Sequence, residues 1–117
     1  MNFKIPGINT DKGLDLYDYD EDLYLIVLRS YAENNPEVLD RLRSVSIDTL
    51  EDYLSNVHGI RGTSVAIGAE DLGKAASRME ALAKAGDLAK LLLENEAFLK
   101  QADTLIADVK AWLALIN

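Results

Sequence analysis

Apolar residues recur at three- and four-residue spacing through almost the whole of this 117-residue chain. That is the period of helices with one buried face, and it leaves little of the sequence for strands. No Asn-Gly turn occurs, and nowhere do apolar and polar residues alternate for long, so strand signals are weak.

A few residues punctuate the pattern. The opening Met1–Ile8 contains Pro6 and Gly7 and reads as an extended arm. Asn9 or Thr10 can cap a short helix carrying Leu14, Leu16 and Tyr17, and Asp20 offers the next cap. A broad apolar helix follows through Leu23, Leu25, Ile26, Val27, Leu28 and Tyr31. Pro36 lies inside its continuation, Val38, Leu39 and Leu42. Proline removes a backbone bond and clashes one turn back, so a kink or break is expected around Asn34–Pro36. Ser46 or Asp48 caps a third segment with Leu50, Tyr53, Leu54, Val57, Ile60 and Ile67, and Gly68 stops it. Another helix runs through Leu72, Ala75, Ala76, Met79, Leu82 and Ala83 and ends at Ala85-Gly86-Asp87. From Leu88 to about Ile116 the pattern fits one long helix, or two separated near Glu94–Glu96. Trp112 and Phe98 read as core. Short connections make neighbouring helices antiparallel. The predicted fold is all-α, an antiparallel up-and-down four-helix bundle with a short N-terminal helix. One domain is expected over residues 1–117, with its core from about 5 to 113.

Charge and composition narrow the function classes. Twelve basic residues face 20 acidic ones, a formal net charge of -8. No basic stripe is present, so nucleic acid and anionic membrane are poor partners. Asp18, Asp20, Glu21 and Asp22 crowd together, but the glycine and terminal glutamate of a calcium loop are out of register, and a solvated helix start is the expected reading. Cysteine is absent and His58 is the sole histidine, which excludes disulfides, thiolate sites and multi-histidine metal sites. No Glu-x-x-His pair suggests a metalloenzyme bundle. No apolar run approaches the roughly 18–20 residues of a membrane span. The first residues, with Lys4 alone basic, do not read as a signal peptide, so a cytoplasmic location is expected. No cofactor or resident metal is expected.

The segment from His58 to Ala69 carries the chemistry. On a helix with about 100° between residues, Leu50, Val57 and Ser64 share a line, with Tyr53 and Ile60 beside it. That line is the buried face, and His58 falls at its margin. Arg61 and Gly62, three and four residues on, neighbour the imidazole. Arg61 can aim a permanent charge at an anion on the ring. Gly62 leaves an open approach, and Leu54 and Val65 flank the histidine as an apolar rim. Glycine inside a helix costs about 1 kcal/mol relative to alanine, so Gly59 and Gly62 are unexpected in a sequence selected for helix stability alone. For Gly59, close packing is the expected reason. Thr63 and Ser64 read as small packing residues, with Ser64 inward. A neutral imidazole is nucleophilic near physiological pH. No Gly-x-Ser-x-Gly elbow and no Gly-Lys-Ser/Thr loop is present, so a phosphoryl carrier fits better than a hydrolase or an ATP-binding protein.

The stretch resembles the signature of histidine-containing phosphotransfer (HPt) domains, carried here by His58, Ile60, Arg61, Gly62, Thr63, Ser64, Ile67, Gly68, Ala69 and Leu72. The Asp20–Tyr24 segment and the helix with an internal proline are also similar to bacterial members. The resemblance spans about Ile5 to Leu113. It implies a four-helix bundle that takes a phosphoryl group from an aspartyl phosphate on one receiver domain and passes it to another. It implies His58 as phosphoacceptor, Arg61 near the phosphoryl group, Gly62 as the access point, and Glu80 as a possible acceptor from the imidazole. Glu80 can equally be an ordinary solvated helix residue. The partners implied are response-regulator receiver domains and a hybrid sensor kinase, with the receivers bringing magnesium and this chain monomeric. Leu54, Val65, Leu14 and Leu16 are the expected docking residues, more by apolar contact than by charge. The carrier is not expected to be an enzyme by itself. Two other readings stay open: a docking module that carries no phosphate, and a chemotaxis-type substrate domain phosphorylated directly by a kinase.

Overall fold

A computed structural model describes residues 1–116 of the chain. Five α-helices follow in order: α1 (Thr10–Asp15), α2 (Glu21–Leu42), α3 (Leu50–Ala66), α4 (Glu70–Lys84) and α5 (Leu88–Ile116). A 3-10 turn at Ile47–Thr49 leads into α3. Around the bundle α2 packs on α3 and α5, and α4 packs on the same two, while α1 lies against α2. This is the all-α four-helix bundle with a short N-terminal helix that the periodicity predicts. Its 45 Å long axis is the length of α5, since 29 residues at 1.5 Å each span about 44 Å.

Local chemistry explains the helix starts. Asn9 Oδ1 accepts from Lys12 N at 3.1 Å. Asp20 Oδ1 accepts from Leu23 N at 3.1 Å, which makes the acidic cluster the capped start of α2. Asp87 caps α5 the same way through Lys90 N. Each side-chain oxygen satisfies a donor that has no partner within its own helix.

The core is continuous from end to end. Tyr24, Leu28, Leu39, Leu42, Val57, Ile60, Leu72, Leu91 and Val109 are essentially inaccessible to solvent, and Phe98 and Trp112 are buried with them. The core begins earlier than expected. Phe3 is buried, stacks on Trp112 with centroids 4.9 Å apart, and meets Tyr24 edge-on at 5.2 Å. The opening arm is therefore part of the packing.

Two expectations about helix boundaries meet different outcomes. No break occurs at Pro36, which sits inside the continuous α2. The turn and a half before it is held from α3: Tyr31 shares a hydrogen bond with Ser64 at 3.0 Å, and Asn35 Nδ2 donates to Thr63 Oγ1 at 3.3 Å. Burial of Leu28, Leu39 and Leu42 on one face outweighs the roughly 3 kcal/mol that an interior proline costs. Pro36→Ala is accordingly expected to stabilise the chain by about 2 kcal/mol, after allowing for the freer unfolded state. A urea midpoint that moves down instead would show that the proline shapes the packing. Of the two options for the last segment, the chain adopts one uninterrupted helix.

Candidate functional site

His58 stands on the outward-facing margin of α3, with 61% of its side chain exposed. Its Nδ1 lies 2.6 Å from Glu80 Oε1 on α4. So short a contact with a carboxylate requires a proton between the two atoms, and an ionised carboxylate has none to donate. Nδ1–H therefore donates to Glu80. That sets the tautomer and leaves the lone pair on Nε2, on the opposite side of the ring. Arg61 NH2 is 3.1 Å from the same Nδ1. Both atoms are donors in that tautomer, so Arg61 binds the carboxylate and not the ring. Its Nε is 3.0 Å from Glu80 Oε2, a charge contact without hydrogen-bond alignment. Lys84 Nζ lies 3.9 Å from Glu80 Oε1.

Glu80 is the hub of this cluster. Its side chain is only 8% exposed, so it is not an ordinary solvated residue. Burial pushes its carboxyl up, but the hydrogen bond from His58 and the charges of Arg61 and Lys84 help to outweigh burial and hold it below the usual carboxylate range.

The two glycines beside His58 have no neighbours. A Cβ built on Gly59 or Gly62 would meet nothing within 4 Å. Close packing is thus not the reason for Gly59, contrary to expectation, because it faces away from every other helix. Both positions keep the surface around the imidazole low. Thr63 turns its hydroxyl back to the Gly59 carbonyl at 3.1 Å, and Ser64 is buried against Tyr31.

Beside this cluster a groove of about 610 Å³ runs between α1, α3 and α4, lined by Leu16, Val65 and Arg61 among others. Leu16 and Val65 are both exposed there. Leu14 does not join them and packs partly buried against the core. Residues two apart on a helix point about 200° from each other, so α1 cannot present both leucines outward. Leu54 is half-buried one turn before His58 and lies off the groove. Lys12, Lys74, Asp15 and Glu70 also line it, so its rim carries charge of both signs, where the sequence suggested an apolar surface. The one sequence clue to Lys84 was its place one turn beyond Glu80.

The family model described as Hpt domain matches residues 26–112, well over half of the chain. The chain belongs to the Hpt domain family. The match contains His58, Arg61, Gly62 and Glu80 and begins after α1. No curated protein and no solved structure matches. Hpt domains are phosphocarrier modules of two-component signalling that work with receiver domains and kinases, and they are not catalysts in their own right. Among the described residues no helix is long and apolar enough to cross a membrane.

Proposed function

We propose that this Hpt domain relays a phosphoryl group between receiver-domain aspartates through His58 Nε2. The observation that carries the reading is the 2.6 Å contact between His58 Nδ1 and Glu80 on an imidazole that is otherwise open to solvent. A nucleophilic nitrogen must have its lone pair free while the other nitrogen keeps the proton.

The Nε2 lone pair forms a bond to phosphorus. The phosphorus–oxygen bond to the receiver's aspartyl carboxylate breaks, and its electron pair leaves on that carboxylate. Nδ1 keeps its proton, so the ring becomes a phosphorylated imidazolium. The new positive charge arises 2.6 Å from the Glu80 carboxylate, already in place and shielded from water, which is where preorganised charge stabilises most. Arg61 and Lys84 hold that carboxylate ionised. Transfer onward to a second receiver is the reverse reaction with a different carboxylate. Gly59 and Gly62 leave room for the receiver to bring its aspartate to Nε2, and Leu16 and Val65 give it an apolar foothold alongside.

Incubation with a phosphorylated receiver is expected to label the chain through an acid-labile, alkali-stable bond, and His58→Gln is expected to abolish the label. Label retained by His58→Gln would overturn the assignment. Labelling by an ATP-dependent kinase and not by any receiver would favour the chemotaxis-type reading.

A further inference from the structure

We infer that Gly13 is a positioning residue for receiver docking, because it seats α1 on the end of α3 and so builds one wall of the groove beside His58. The inference rests on the proposed relay function. The C-terminus of a helix leaves backbone carbonyls without partners, and here the N-terminal region supplies them. Tyr17 OH donates to Ala66 O at 2.7 Å, Tyr24 OH donates to Ile67 O at 2.7 Å, and Asn9 N donates to Gly68 O at 2.8 Å.

This seat works only if α1 comes very close to the α3 backbone. A Cβ on Gly13 would lie 2.6 Å from Ile67 O and 2.6 Å from Tyr24 OH, the two atoms that bond each other. One of these atoms is backbone and cannot swing aside. Gly68 faces it with φ +85, and a Cβ there would lie 2.2 Å from Asn9 O. Two residues without side chains thus meet where α1 crosses the end of α3. Any side chain at 13 must lift α1 or break the Tyr24 bond.

The consequence reaches the site through α1 itself. Lys12, Asp15 and Leu16 line the groove on one side, and Val65 and Arg61 on the other. Lys12 spans to Glu70 on α4 at 3.0 Å. Gly13 does not line the groove, yet it sets where Leu16 stands relative to Val65. His58 and Glu80 belong to α3 and α4, and the polar partners of their cluster, Arg61 and Lys84, lie on the same two helices. Lifting α1 therefore changes the docking surface and leaves the contact between His58 and Glu80 in place.

Two phosphodonors separate these effects. Phosphoramidate is small and needs no docking surface. A phosphorylated receiver must dock. For Gly13→Ala, labelling of His58 by phosphoramidate is expected to match the wild type. Transfer from the phosphorylated receiver is expected to show a KM raised about tenfold or more, with kcat less affected, as for a misplaced binding surface. Tyr17→Phe, which keeps the ring and loses only the bond to Ala66 O, is expected to shift KM the same way by less. Wild-type KM in both variants would overturn the inference, and so would equal loss with both donors, which would indicate general unfolding. Failure of the wild-type chain to accept phosphate from any receiver would instead overturn the proposed function.

Discussion

Replacing Glu80 with alanine is expected to slow receiver-to-His58 transfer on the order of 100-fold, near 2.7 kcal/mol of transition-state stabilisation. The variant loses both things Glu80 supplies: the acceptor that keeps the proton on Nδ1, and the negative charge facing the imidazolium as it forms. Glu80→Gln keeps an oxygen acceptor and loses only the charge, so its rate should fall between wild type and Glu80→Ala. Stopped-flow transfer from a phosphorylated receiver measures the series. A Glu80→Ala rate equal to wild type would remove Glu80 from the chemistry.

Folding should lose on the order of 1–3 kcal/mol as well, because Glu80 is buried and its removal leaves Arg61 Nε, itself shielded from water, without its charge partner. The sign of the acid dependence follows from the same cluster. The folded-state pKa of Glu80 lies below its ordinary value. Its contribution is therefore complete above the unfolded value of about 4.3 and is lost as pH falls through the folded value. Any stability gap between wild type and Glu80→Gln should close under acid.

Asn95→Leu is expected to destabilise the chain by about 2–5 kcal/mol, among the largest effects of any single change. Asn95 is buried in the first third of α5. Its Oδ1 accepts from Tyr53 OH of α3 at 2.7 Å, and its Nδ2 donates to Leu42 O at the end of α2 at 2.9 Å. Leucine of similar volume would leave a buried hydroxyl and a buried carbonyl unpaired, each costing about 1–3 kcal/mol. Adding Tyr53→Phe to Asn95→Leu should recover part of the loss, since it removes one of the two orphans. Urea denaturation of the single and double variants measures both terms. A single variant as stable as wild type would show that water reaches these groups.

Asn95 also shows why part of the fold was illegible in the sequence. Around Glu94–Glu96 the apolar period is interrupted by three polar residues, and period alone cannot separate a gap between two helices from a buried polar anchor in one. The distinction depends on Tyr53 and Leu42, which lie 42 and 53 residues away. Pro36 carries the same lesson in reverse. Its local preference argues for a break, and distant packing against Ser64 and Thr63 overrides it. Gly13 gave no local signal at all, because only the crossing of α1 over the end of α3 requires an absent side chain there.

The site divides along the same line. Helical period, caps and the His58–Ala69 motif were enough to place the imidazole at the edge of a helical face beside Arg61 and Gly62, because residues three and four apart on one helix are neighbours by construction. The tautomer of His58, the burial of Glu80, the partner of Arg61 and the outward turn of Leu16 but not Leu14 all depend on how one helix rests on another. Local spacing determines what shares a surface within a helix, and tertiary packing alone decides which surfaces face each other and which atoms lose water.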